Sequence, residues 1–71
     1  MDTNKLLGYK IANIRALKKL TQQQLADKVA TSRENIARYE SGKTEPKAFM
    51  LRDICIALNV SADYLLGITE A

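Results

Sequence analysis

The chain has 71 residues, 27% of them charged and 46% apolar, with one cysteine, no histidine and a net charge of +3. That length supports a single domain, 1–71, because a second hydrophobic core would have too few residues to cover its own surface. Four-ligand zinc sites, histidine-based acid–base catalysis and an intrachain disulfide all need residues this composition lacks, so no metal, cofactor or enzymatic activity is expected. The lone Cys55 fits a reducing compartment, no run approaches the roughly 20 apolar residues of a membrane span, and no cleavable apolar leader follows Met1-Asp2-Thr3. The expectation is a cytoplasmic protein with no membrane partner.

In residues 4–19, Leu7, Ile11, Ile14 and Lys18 recur at helical spacing, and Leu6 and Leu17 widen the apolar face. Thr21 with Gln24 three residues later has the capping-box pattern, so a second helix starts there, offers Leu25, Ala26 and Val29 to the core and stops near Ala30. Ser32 is the next capping residue. A short third helix runs from Arg33 to about Ser41, with Ile36 and Tyr39 inward and Gly42 as its left-handed terminator. Pro46 is expected to open helix four, where Met50, Leu51, Ile54, Cys55 and Leu58 repeat at helical spacing. Ser61 caps a last short helix bearing Tyr64, Leu65 and Leu66, closed by Gly67. No segment alternates like a strand, so the fold class is an all-α bundle of five short helices.

Helices two and three, about residues 21–41, are joined by a turn of three or four residues, the length of a helix-turn-helix. On a helical wheel Arg33, Glu34, Ala37, Arg38 and Ser41 fall within about 140° of one another, away from Ile36 and Tyr39. Such a face suits the major groove, which takes long donors and small residues and leaves no bulky apolar group in water, although composition alone favours a solvated helix face. Charge is unevenly distributed. All eleven basic residues lie at or before Arg52, so residues 1–52 carry a net +6 and residues 53–71 a net −3, a pattern that would orient the domain toward a polyanion.

From Ile11 to Leu66 the chain resembles the lambda-repressor-like helix-turn-helix proteins, the Cro and phage-repressor group also called the xenobiotic-response-element type. The resemblance rests on Ile11, Arg15, Leu20-Thr21-Gln22-Gln23-Gln24-Leu25-Ala26, Ser32, Ile36, Tyr39-Glu40-Ser41-Gly42, Pro46 and Leu58-Asn59-Val60-Ser61-Ala62-Asp63-Tyr64-Leu65-Leu66. It implies sequence-specific binding of operator double-stranded DNA by a homodimer that regulates transcription, most simply as a repressor. Two positions depart from the family pattern: Ala30 stands where glycine is usual, and Thr31 where a larger aliphatic residue is usual.

The resemblance makes Arg33, Glu34, Ala37 and Arg38 the base-reading positions. Glu34 has two readings, an acceptor for a cytosine amino group or an i+4 partner that aims Arg38. Asn35 is read as a hydrogen bonder on the cap side of helix three. Gln22, Ser32, Ser41, Lys43 and Thr44 are the expected phosphate contacts, with Lys10, Lys19 and Lys47 as lesser ones. Arg15 and Glu40 are expected to form a structural ion pair tying helix three to helix one. Residues 60–71, through Val60, Tyr64, Leu65, Leu66 and Ile68, form the expected dimerisation surface. Two other roles fit the same fold: an antitoxin-like regulator that also binds a partner protein, and a protein-interaction module that binds no DNA.

Overall fold

Short polar side chains start most of the helices. The computed structural model describes residues 2–68, which form α1 (Thr3–Leu17), α2 (Gln22–Lys28), α3 (Arg33–Ser41), α4 (Ala48–Leu58) and α5 (Ala62–Leu65), with no strand among the described residues. Asp2, Thr21, Ser32 and Ser61 each accept a hydrogen bond from a first-turn backbone N–H, and Thr21 with Gln24 completes a capping box. Only α4 starts without a side-chain cap. Its N-cap is Lys47, so Pro46 stands two residues ahead of the helix instead of opening it. The proline ring is buried, and that burial, not the missing N–H, accounts for its place.

All five helices end the same way. A residue with positive φ follows each one: Lys19 (60°), Ala30 (57°), Gly42 (79°), Asn59 (56°) and Gly67 (80°). The next N–H in each case reaches back five residues: Leu20 to Arg15, Thr31 to Ala26, Lys43 to Arg38, Val60 to Cys55 and Ile68 to Asp63. This is the Schellman closure, which satisfies carbonyls that a helix end leaves unpaired. Only two of the five left-handed positions are glycine. Ala30 therefore holds a conformation that favours glycine, and a Cβ there costs roughly 1–2 kcal/mol.

The core comprises Leu7, Ile11, Leu25, Ala26, Val29, Ile36, Ile54, Cys55, Leu58 and Leu65, so every helix contributes. On α1 the buried positions are Leu7, Gly8 and Ile11. The core face is therefore turned away from the apolar pattern that included Leu6 and Leu17, which are 40% and 75% exposed. Gly8 explains the rotation. A Cβ at this position would fall on the carbonyl oxygens of Tyr39 and Glu40, so α1 lies with bare backbone against the last turn of α3. Gly42 repeats the contact from the other side, its own Cβ position being 2.9 Å from Lys5 Cα.

One charged group locks this junction. Arg15 Nε donates to Glu40 Oε2 at 2.6 Å and Arg15 Nη2 to Glu40 Oε1 at 3.2 Å, a forked pair, while Arg15 Nη1 donates to the Leu20 carbonyl at 2.7 Å. The Arg15 and Glu40 side chains are 17% and 8% exposed, so both are largely desolvated and depend on one another. The expected ion pair is present. Because Arg15 also holds Leu20, it joins α1, the turn into α2 and the end of α3.

Thermal and urea unfolding test these contacts. Ala30→Gly should raise the melting temperature by a few degrees, because relief of about 1–2 kcal/mol of strain exceeds the roughly 0.4–1 kcal/mol by which glycine favours the unfolded chain. Asn59→Gly should gain less, since asparagine tolerates the left-handed region; a fall in melting temperature for Ala30→Gly would show the strain to be absent. Gly8→Ala should destabilise by about 1–3 kcal/mol through overpacking against the α3 carbonyls. Arg15→Ala and Glu40→Ala should each cost about 3 kcal/mol and the double substitution much less than their sum, whereas strict additivity would mean that the two side chains are not coupled.

Candidate nucleic-acid interface

α3 presents two faces set by its nine-residue length. Ile36 is fully buried and Tyr39 packs against the core, which fixes the roll of the helix about its axis. That roll leaves Arg33, Glu34, Arg38 and Ser41 exposed on the opposite side, with Ala37 half-buried between them. The four expected base-reading residues therefore share one outward surface. Among the described residues, Arg33, Glu34 and Arg38 make no ion pair, so Glu34 does not act as the i+4 partner of Arg38. All three charged side chains have water as their only competitor for a ligand. The small Ala37 between them leaves room for a close approach.

The turn before α3 holds this surface in place. Ser32 Oγ accepts from the Asn35 N–H at 3.1 Å, and Asn35 Nδ2 donates to Thr31 Oγ1 at 2.9 Å. Asn35 is thus a tie across the turn, as expected from its place near the cap. The same bond gives a reason for threonine at position 31: its hydroxyl is the acceptor, which an aliphatic residue would lack. Ser32 keeps its hydroxyl proton free to donate outward.

The expected phosphate contacts divide by what the fold already asks of them. Lys43 and Thr44 are exposed directly after α3, and the Lys43 N–H closes the helix on Arg38, which positions the loop. Ser41 Oγ donates to the Arg38 carbonyl at 3.2 Å, so its proton is directed into the helix. Gln22 is half-buried, and its Nε2 donates to Glu40 Oε1 at 2.9 Å. One N–H of that amide belongs to the Arg15–Glu40 pair and the second stays uncommitted. Gln23 bonds Asp27 within α2 at 2.8 Å. Lys10 faces α5, where its Nζ donates to the Tyr64 carbonyl at 3.1 Å and lies 4.9 Å above the Tyr64 ring, so it is removed from the set.

The expected dimerisation surface needs correction. Leu65 is 1% exposed and belongs to the core, because the single turn of α5 must bury its one inward residue to dock at all. Val60 and Tyr64 are half-buried against that core, and of the five named residues only Leu66 and Ile68, 45% and 69% exposed, are open. Residues 69–71 of that surface lie outside the described residues. Cys55 is buried and its thiol pKa is pushed up by that burial, which fits a packing role and not a reactive one.

Gly8 was not among the residues singled out from sequence, although a glycine inside a helix is itself a signal of close backbone approach. Glu40 carries more than its ion pair, since it also aims Gln22. That link could not be read from spacing, because Gln22 and Glu40 are 18 positions apart.

Comparison with known proteins agrees with this geometry. A helix-turn-helix family model matches residues 11–65. The uncharacterised HTH-type transcriptional regulator YqaE of Bacillus subtilis is 48% identical over 52 residues, covering 73% of this chain and 45% of its own length. The uncharacterised HTH-type regulator y4dJ of Sinorhizobium fredii is 33% identical over 99% of this chain and 91% of its own length. The chain spans about half of YqaE and 61% of YonR, a B. subtilis prophage-derived relative. Among solved structures, the P22 c2 repressor in complex with a synthetic operator superposes with a TM-score of 0.83 at 36% identity, over 86% of this chain and 92% of that one. The five-helix architecture is that of the lambda- and 434-repressor-like domains. With the family model matching residues 11–65 and the helix order shared, the chain belongs to the Cro/C1-type helix-turn-helix family.

Proposed function

We propose that this protein is a sequence-specific, double-stranded DNA-binding regulator of transcription, most simply a repressor that occupies an operator. The observation that carries this reading is the outer surface of α3, where Arg33, Glu34 and Arg38 stand exposed and unpaired around Ala37 among the described residues. A guanidinium offers two parallel donors to guanine O6 and N7, and a carboxylate accepts from a cytosine amino group. α3 lies in the major groove, α2 spans the backbone, and Lys43, Thr44, Ser32 and the free N–H of Gln22 hold phosphates, which set register without reading sequence. The relatives' names point the same way: several are HTH-type transcriptional regulators, and the P22 c2 repressor is seen in complex with a synthetic operator. One relative, BcrR of Enterococcus faecalis, is named an activator, so occupancy of a site is the common element and its sign depends on where the site lies.

One helix of this length reads too few base pairs to be selective. Two copies on half-sites about one helical turn, roughly 34 Å, apart supply the rest. The action is that of a binding protein in a DNA-containing compartment, with no chemical step.

Binding-site selection from random duplexes, followed by salt titration on the selected sequence, tests the assignment. Arg38→Ala should weaken binding by about 1–3 kcal/mol and relax preference at one or two positions. Lys43→Ala should weaken all sequences alike and flatten the dependence of log K on log salt by about one unit. An unchanged selected motif for Arg38→Ala would remove α3 as the reader, and absence of any duplex binding at low salt would favour the protein-interaction module.

A further inference from the structure

The end of α3 meets the first turn of α1 over bare backbone. A Cβ built on Gly42 would fall 2.9 Å from Lys5 Cα and 2.7 Å from Lys5 Cγ, so the lysine stem lies directly across this glycine. Lys43 is the next residue in the chain, and because successive Cα atoms are about 3.8 Å apart, the Cα atoms of Lys5 and Lys43 lie within about 8 Å of one another. Thr44 follows. Lys5, Lys43 and Thr44 are all exposed, so the first turn of α1 and the loop after α3 form one polar ledge beside the C-terminal end of the DNA-reading helix.

Neither lysine of the ledge has a competing ion-pair partner. The pairs among the described residues are Arg15–Glu40 and Arg52–Asp53, and the Lys5 hydrogen bond is made by its backbone N–H, which donates to Asp2 Oδ1 at 2.9 Å. Two acids border the ledge, Asp2 as the cap of α1 and Glu45 in the loop, and neither lies within ion-pair distance of a lysine. Both ammonium groups are therefore available. Two like charges on neighbouring stems repel one another, and a polyanion passing along the ledge replaces that repulsion with attraction to both. Lys5 also precedes residues 11–65, the span matched by the family model, so it belongs to a part of this chain that the family pattern does not describe.

We infer that Lys5 is a DNA-backbone contact of this protein, holding a phosphate beside Lys43 and extending the grip of the loop after α3 onto the first turn of α1. The inference rests on the proposed reading of α3 as the DNA-binding helix. The contact positions without specifying, since an ammonium on a flexible stem meets a phosphate as a point charge and carries no base information. Gly42 has two duties in this arrangement: it ends α3 in the left-handed region, and it leaves the bare surface over which the Lys5 stem runs.

Equilibrium binding to the selected duplex and to an unrelated duplex, measured over a range of salt with circular dichroism to confirm folding, provides the test. Lys5→Gln should weaken binding to both about five- to tenfold at about 0.1 M salt and flatten the dependence of log K on log salt by about one unit, while Lys5→Arg keeps the wild-type slope. Asp2→Asn retains a capping side chain but removes a negative charge beside the ledge, so it should tighten binding to both duplexes about twofold. Lys28, which borders a cleft with Asp53, Ile56 and Ala57 of α4, controls for loss of charge elsewhere, and Lys28→Gln should leave the slope unchanged. An unchanged slope for Lys5→Gln, equal flattening by Lys28→Gln, or no gain for Asp2→Asn would each overturn the inference. A wild type that binds no duplex removes the α3 reading and this contact with it, whereas an Arg38→Ala variant that alters the selected motif beside a silent Lys5→Gln removes the contact alone.

Discussion

The forked pair between Arg15 and Glu40 is the interaction on which the arrangement of this domain depends. A chain of this size buries little apolar surface, and its helices are too short to hold crossing geometry by ridge packing alone. Arg15 supplies three donors to two partners, one on α3 and one in the turn before α2. Glu40 returns an acceptor to Gln22 on α2. The helix-turn-helix is thus fastened to α1 from both of its members. A buried pair of this kind contributes less to net stability than its distances suggest, because both charges are taken from water. Its greater effect is directional: a forked guanidinium–carboxylate contact tolerates few orientations, and the roll of α3 sets which side chains face outward.

The contact also requires α1 and α3 to be close, and Gly8 makes that possible by removing the side chain that would strike the Tyr39 and Glu40 carbonyls. A glycine inside a helix costs roughly 0.5–1 kcal/mol against alanine, and here the loss is offset by close approach that the ion pair needs. The five Schellman closures serve the same geometry. Each ends its helix with its last carbonyls satisfied, and the connections into α2, α3 and α5 are only three or four residues long, which lets so short a chain enclose a core. Three of the five tolerate a Cβ in the left-handed region, so the turns are imposed by packing and caps as well as by local preference.

Much of the architecture was legible beforehand because it rests on local chemistry. The Thr21–Gln24 capping box, the Ser32 and Ser61 caps and the Gly42 and Gly67 terminators are read within a few residues, and each is present. Apolar spacing identified Leu25, Ala26, Val29, Ile36, Ile54 and Leu58 as core. Periodicity was misleading where it could not say which neighbours exist. Leu6 and Leu17 fit the apolar phase of α1 but are partly or largely exposed, since α1 is rotated toward Gly8. Leu65 looked available for a partner because so short a helix gives no phase, yet α5 docks through it. Pro46 suggested a helix start, but burial of its ring placed it outside α4.

The sequence by itself determined the number and order of helices, their caps and terminators, the polar composition of the α3 face and the concentration of positive charge before residue 53. These follow from interactions spanning a few residues, or from composition, which need no knowledge of the fold. Tertiary structure alone decided which polar groups are free. It commits Gln22 to Glu40, directs the Ser41 proton into its own helix, places Lys10 on α5, and leaves Arg33, Glu34 and Arg38 unpaired. It also leaves Phe49 and Ile56 in water on one stripe of α4. The physical reason is that a side chain's availability depends on partners distant in sequence, and only the packed helices bring those partners within hydrogen-bonding reach.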